Sequence, residues 1–458
     1  MRKSLRPTTG LRSLAALGVA ALAAASLTAC GSSEPSDPGS ATSGTVSWWG
    51  WTPTDTATAE AYISAFNEEY PDITVDYKLV AIADWQAALR PALSSDSGPD
   101  VFDMQPGSYV DQFKSFAEDL TPLAEDALGD DWESKVAPIG VSGLTDETGK
   151  LTAMSVGSTY AGLLWINKGI FDEHGLTPPT TMEEWVKVCD DLRAAGEGCF
   201  VQGAAQQGFD QDTLQSIANS VEPGLWEAVT GGEKKWTEPG IVETLSIWKQ
   251  LFDDGIMQPG AIGYQQYPDA NNDFLTGKYA MVQMGTWYTQ YATESGITAA
   301  LSAAGVAGAQ PFPILPLPFP DVAGNGNEAH LFGDADYGLA ISKKAKNKAA
   351  AETFVKWMTT TTEGQTVVAN QLQGLPALQS VQPDYAAIGL VDPALQTQPV
   401  QDVLEQVSSV DEPRFALISA DVSEAILAAA TSVATGSATP EDAAEALQTA
   451  AVAAGDQQ

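Results

Sequence analysis

An α/β fold of more than one domain is predicted, and three observations predict it. Between residues 45 and 104 the chain reads strand, helix, strand, helix, strand, the order that builds a parallel sheet with right-handed crossovers. The chain has 458 residues, roughly two or three domains' worth. Its residues are 44% hydrophobic and include 12 Trp, 12 Tyr and 14 Phe, enough to build a core and too many for a disordered acidic chain.

The elements follow in order. Thr45–Trp49 reads as a strand and Gly50 as a turn. Asp55–Tyr70 is a helix, with Ala59, Tyr62, Ile63 and Phe66 at helical spacing and Pro71 as its stop. Ile73–Val80 alternates apolar and polar, as a strand does. Asp84–Leu93 is helical, and Val101–Met104 is a short buried strand after the turn Ser97-Gly98-Pro99-Asp100. Leu151–Val156 and Gly162–Asn167 are apolar segments flanking Ser158-Thr159-Tyr160. Thr181–Ala195 is a helix with Met182, Trp185, Val186, Cys189 and Leu192 on one face. Helices are also expected over Ile241–Asp254 and Ala349–Met358, an extended Pro-rich connection over Phe312–Phe319, and a strand over Tyr337–Ile341. The Ala-rich tail from Ser423 to Ala454 is helical, broken between Gly436 and Pro440.

The start of the chain is different in kind. Arg2, Lys3, Arg6 and Arg12 precede an apolar run, Ser13 to Leu27, that is too short for a comfortable membrane span. It closes with Leu27-Thr28-Ala29-Cys30-Gly31, small residues before a cysteine, as in a lipobox. The expectation is an export signal over residues 1–29 and a lipid anchor on Cys30, holding the protein to the outer face of the cytoplasmic membrane. An ordinary secretory signal with an incidental cysteine is the alternative. Residues 30–44 are Gly, Ser, Pro and acid, a flexible tether.

Acids outnumber Lys plus Arg by 59 to 22, a net charge of −37. Nucleic-acid surfaces and polybasic membrane patches need the opposite balance. Export permits a disulfide between Cys189 and Cys199 across a helix end and the following strand; two separate buried thiols are the alternative. With two histidines, His174 and His330, and no Cys/His cluster, no metal is expected. The chain has no nucleophile elbow and no phosphate loop, so neither an enzyme nor a cofactor is expected; a secreted glycoside hydrolase, which acids plus tryptophans also describe, is the lesser alternative.

A set of segments then carries a family resemblance. They run Phe66-Asn67-Glu68-Glu69-Tyr70-Pro71-Asp72-Ile73; Gly98-Pro99-Asp100-Val101-Phe102; Leu164-Trp165-Ile166-Asn167-Lys168; Gly175-Leu176-Thr177-Pro178-Pro179; Gly277-Lys278-Tyr279-Ala280-Met281 with Gly285-Thr286-Trp287; Gly338-Leu339-Ala340-Ile341-Ser342; and Gly374-Leu375-Pro376. In this order, behind the lipobox, the chain resembles the solute-binding lipoproteins of carbohydrate ABC importers, the group that includes maltose-binding protein. Residues 200–270 and 380–458 match poorly. The resemblance implies a two-lobed periplasmic-binding-protein-like fold (type II), with a ligand cleft between lobes joined by crossing strands. Carried over by motif, the crossings fall near Ser158–Gly162, Phe332–Tyr337 and Leu372–Pro376. The lobes are then 45–157 with 338–372, and 161–333 with 377–458. The implied partners are a carbohydrate ligand and membrane permease subunits, and a monomer is expected.

A sugar offers apolar C–H faces and a rim of hydroxyls, so its site needs flat aromatics with carboxylates and amides. Such groups gather in loops at the carboxyl ends of strands. Trp49 and Trp51 follow the first strand and are read as platforms, with Trp48 in the core. Asp103 and Gln105 follow the third strand as acceptor and donor; Asp100 is a structural cap. Tyr160 lies at the first crossing. Trp287 is implied as the main stacking residue, since Gly285 and Thr286 let the backbone come close. Asp334 and Asp336 sit at the second crossing, aimed at ligand or serving as hinge hydrogen bonds. Phe209, Asp210, Gln211, Trp226 and Arg414-Phe415 are weaker candidates. Arg90, Arg193 and Arg414 are the only arginines beyond the leader, which disfavours anionic ligands. A cationic ligand such as a polyamine, held by aromatics with Asp, is the alternative.

Overall fold

The computed structural model describes residues 39–457 except 55, 307–309, 373, 385–387, 408–409 and 411. The export-signal segment and Cys30 lie outside the described residues. Among the described residues there are ten strands: β1 (Gly44–Gly50), β2 (Ile73–Leu79), β3 (Val101–Met104), β4 (Met154–Ala161), β5 (Leu163–Asn167), β6 (Gly198–Val201), β7 (Tyr279–Met284), β8 (Ile314–Pro318), β9 (Phe332–Ile341) and β10 (Leu375–Pro376). They form two sheets, ordered β10-β4-β9-β3-β1-β2 and β6-β7-β5-β8.

In the first sheet β1 pairs in parallel with β2 and β3, as the strand–helix alternation requires. β9 then adds antiparallel to β3. Val46 and Trp48 point inward while Trp49 points to the other face, the two-residue period of a strand. The inner side chains pack with Tyr62 and Phe66 of the helix Thr56–Glu69 and with Phe354 and Trp357 of the helix Lys348–Thr360. Phe66 meets Phe354 and Trp357 edge-on at 5.2 and 5.4 Å, a favoured aromatic geometry.

The second sheet is covered on both faces. Leu164 and Ile166 of β5 enter one core, with Trp185, Phe200 and Trp248. Leu163 and Trp165 enter the opposite one, with Phe274 and Tyr288. The helix Met182–Ala195 starts on Thr181, whose side chain accepts the Glu184 N–H, and ends at Gly196 in the left-handed region (φ 87°). Across that turn, Cys189 of the helix and Cys199 of β6 are joined in a disulfide. The helices Ala420–Ala434 and Pro440–Ala454 pack on this half. No described helix is long and apolar enough to cross a membrane.

β4 and β9 connect the halves. They pair from Met154/Leu339 in the first sheet to Ala161/Phe332 beside the second. β10 pairs with β4 at Ser158 and Gly157. One boundary differs from expectation. Ala377, Leu378 and Val381 pack in the first core, held by hydrogen bonds from Ala137 N to Ala377 O and from Leu378 N to Gln365 Oε1. Leu390 is the next apolar residue seated against the second half. Residues 377, 378 and 381 therefore pack with the first half and not, as expected, with the second.

Candidate functional site

A cavity of about 740 Å³ opens between the halves, within the size range of ligand pockets. Trp51, Gln86, Gln105 and Tyr109 line it from the first half. Phe209, Tyr267, Trp287, Tyr291 and Phe415 line it from the second, with Gln206, Gln207, Asn271 and Gln290. Asp336 reaches it from the crossing strand β9.

Each wall is held from behind. Asp103, fully buried at the end of β3, accepts Trp48 Nε1 at 2.8 Å, Trp51 N at 2.9 Å and Thr52 N at 3.3 Å. Gly50 makes room for it, since a Cβ there would stand 2.5 Å from Asp103 Oδ2. The loop so fixed presents Trp51, whose ring packs on Trp85 at 5.1 Å. After β7, Gly285 lies against the Trp287 ring and Tyr160 O; a Cβ would come within 2.0 and 2.2 Å of them. Only a glycine lets Trp287 fold back over its own strand end.

The halves also touch across the cavity. Thr54 Oγ1 and Tyr291 Oη are 3.2 Å apart. Gly107, at φ 68°, approaches Phe415 O so closely that a Cβ would be 2.3 Å from it. Arg414 lines the cavity from the second half. Its Nε and Nη2 donate to Asp212 Oδ1 and Oδ2 at 2.7 and 2.6 Å.

Burial pushes the Asp336 carboxyl up to about 6, against the opposing pull of the Thr159 hydroxyl and of Arg414. Asp334 is pushed up to about 7 by burial, opposed by main-chain donors from Phe415 and Ala416 and by Arg414. Burial also raises Asp212, and its guanidinium partner pulls it back. The two groups meet as a buried ion pair at 2.6 Å.

Of the residues singled out in the sequence, Trp51, Gln105, Phe209, Trp287, Asp336, Arg414 and Phe415 meet at the cavity. Asp210 and Gln211 are buried away from it, and five more do not line it. Trp49 pairs in register with Lys78 on β2, so both share the outer face, and Lys78 Nζ sits 3.4 Å over its ring. Asp103 is turned inward to hold the Trp51 loop. Tyr160 is 5% exposed and tucked against Gly333, where a Cβ would strike its ring at 2.4 Å. Trp226 is a core residue, edge-on to Trp236 at 5.3 Å. Asp334 accepts the N–H groups of Phe415 and Ala416. It shares a face of β9 with Asp336, and the parallel bridge from Gly333 to Pro413 lays residues 413–416 over it while Asp336 stays open.

Tyr109, Tyr267 and Tyr291 were not anticipated. Tyr109 follows β3 closely enough that reading further past the strand end would have found it; Tyr267 and Tyr291 carry no local signal. Gln206 and Gln207 line the cavity, whereas Gln202 and Gln211 are buried and donate to Phe209 O and Arg414 O.

Comparison with known proteins follows the same lines. The profile of the family described as "Bacterial extracellular solute-binding protein" matches residues 50–365. The chain is 26% identical over 357 residues to the multiple sugar-binding protein of Streptococcus mutans serotype c, covering 75% of this chain and 77% of that one. It is 23% identical over 364 residues to the maltotriose-binding protein of Pyrococcus abyssi, covering 78% and 69%. Among solved structures, one from work on xylan utilisation by Caldanaerobius polysaccharolyticus superposes with a TM-score of 0.71 at 18% identity, covering 88% of this chain and 99% of that one. A maltose-bound protein of T. maritima does so with a TM-score of 0.66 at 21% identity, covering 88% and 98%. These likenesses establish the two-lobed α/β fold, and the profile match over most of the chain establishes that this protein belongs to the bacterial extracellular solute-binding protein family.

Proposed function

We propose that the cleft binds a sugar or short oligosaccharide and that the protein delivers it to the membrane permease of an ABC importer. The observation that carries this reading is the convergence of flat aromatics from both halves, Trp51 and Tyr109 facing Trp287 and Phe415, on one cavity with a carboxylate and several amides. Aromatic faces suit the C–H faces of a pyranose, and Asp336 with Gln105 and Gln207 suits its hydroxyls. Neither glutamine side chain makes a hydrogen bond with another described residue, so both are available to a ligand. The relatives named for sugars support the same class. Closure would turn on β4 and β9, the strands shared by both halves. The reading includes export, a lipid on Cys30 and a monomeric state.

Binding without bond cleavage is favoured over hydrolysis. Glycoside cleavage by the usual route takes two carboxyl groups across the scissile bond, and Asp336 is the one carboxylate lining the cavity among the described residues.

The test is thermal shift and calorimetry against mono- and oligosaccharides, with polyamines and amino acids as controls. A ligand of the folded state raises Tm by mass action. Trp287→Ala removes a central platform and should weaken binding by about 30-fold or more, the effect of a buried aromatic anchor of about 2 kcal/mol. Silence across the saccharides, with a response among the controls, overturns the reading.

A further inference from the structure

Two charged side chains line the cavity among the described residues, Asp336 and Arg414. Arg414 reaches the cavity with its charge already paired. Its guanidinium grips Asp212 through two parallel hydrogen bonds, and the two side chains are 7% and 5% exposed. The same group lies 4.5 Å from the Trp287 ring centroid and 4.2 Å from that of Phe415, within cation–π range. Its main chain is bolted as well. Gln211 Nε2 donates to Arg414 O at 2.8 Å, Gln215 Nε2 donates to Pro413 O at 3.0 Å, and Arg414 N donates to Gly333 O at 3.3 Å. The guanidinium thus gives two of its N–H groups to Asp212, which pairs its charge, and its aromatic contacts to the two platforms.

We propose that Asp212, acting through Arg414, is a specificity-determining residue that makes the cleft select uncharged over acidic saccharides. This rests on the saccharide reading above. With Arg414 neutralised, a uronic acid in the cleft finds no free cation and lies in the field of the Asp336 carboxylate. Its own carboxylate loses water and gains no partner, which is the costly case. The pair also acts as a positioning device, holding Trp287 and Phe415 at a set distance from one planar group. An ordinary reading of Arg414 as an anion receptor predicts the opposite selectivity.

Asp212→Asn tests the difference. It keeps the shape of the side chain and releases the positive charge of Arg414. Calorimetry would compare an uncharged oligosaccharide with the same oligosaccharide carrying one uronic acid, at low salt. The native protein should bind the uncharged form at least about tenfold more tightly, because like charges opposed in an interface are strongly disfavoured. In Asp212→Asn that ratio should fall about tenfold, with loss of affinity for the uncharged ligand and gain for the acidic one. Should Asp212→Asn fail to fold, the double variant Asp212→Asn/Arg414→Gln takes its place, and the native ratio should survive in it. A purely structural role would weaken both ligands alike and leave the ratio unmoved. Uncharged ligand bound with an equal affinity for the acidic one overturns the inference alone, as does a folded Asp212→Asn protein with the native ratio, or a double variant with a changed one. A native protein that binds no saccharide overturns the proposed function and this inference together.

Discussion

Asp336 sets two quantities that should respond to pH with opposite signs. Its carboxyl is pushed up to about 6, first by burial, with the Thr159 hydroxyl and Arg414 opposing. A carboxylate is the stronger acceptor for sugar hydroxyls when ionised, so ligand should bind the ionised form. Lowering the pH from 8 to 5 leaves roughly a tenth of the sites ionised, and the apparent Kd should rise about tenfold. Stability runs the other way. A carboxyl whose folded value lies above its unfolded value contributes stability that is fully present below about 4 and is lost as pH rises through about 6. That rise to about 6 corresponds to at most ~3 kcal/mol, reduced because water reaches a half-buried carboxyl. Asp336→Asn should flatten the pH dependence of affinity. At pH 8 it should also weaken binding by roughly tenfold, the difference between a charged and a neutral acceptor. The assay is calorimetry from pH 5 to 8 on both proteins, with Tm of the ligand-free forms alongside. An affinity that ignores pH in the native protein, or a slope that persists in Asp336→Asn, refutes the assignment of this carboxyl to the ligand.

Two further outcomes follow from the packing behind the site. Gly50→Ala should cost about 2–4 kcal/mol in chemical denaturation and weaken ligand binding, because its Cβ would displace the Asp103 carboxyl that holds Trp51; a native Tm would show that the loop yields freely. Asp210 is 1% exposed, with Oδ1 accepting Gly208 N at 3.1 Å and Oδ2 unpartnered among the described residues. Burial, with a smaller push from Asp212, raises it to about 7 against main-chain donors. Its stabilising contribution is therefore present below about 4 and lost as pH rises through about 7. Relieving the buried charge is worth about 4 kcal/mol at pH 8, and an unsatisfied amide returns about 1–3 of it. Asp210→Asn should thus be more stable than the native protein at pH 8 by about 1–3 kcal/mol and less stable relative to it at pH 4. A variant less stable at both values would show that the raised carboxyl is not the dominant cost there.

Elements with a strong period were legible. The strand of Trp48 and Trp49 showed its alternation directly, and the Ala-rich tail broke near Gly436 as its residues require. The helix Phe209–Val221 was missed. Residues 209–220 are all buried, so it has no apolar stripe against a polar one, and its Asp, Gln, Asn and Ser residues read as a solvated loop. Their partners lie far along the chain: Glu412 accepts from Gln215 and Asn219, and Arg414 pairs with Asp212. Nothing local announces such a network.

The candidate site divides along the same line. Order of strands and helices, the core role of Trp48, and the closeness of Gly285 to Trp287 depend on neighbours within a few residues, and these could be read along the chain. Which acid faces the cavity could not. Asp103 and Asp336 both sit on central strands, and Asp334 shares a face with Asp336. They differ in what covers them: the Trp51 loop closes over Asp103, residues 413–416 close over Asp334, and Asp336 is left open. Covering segments come from 50 to 80 residues away, so exposure, and with it the split between structural and ligand-facing carboxylates, is settled only when distant parts of the chain pack together.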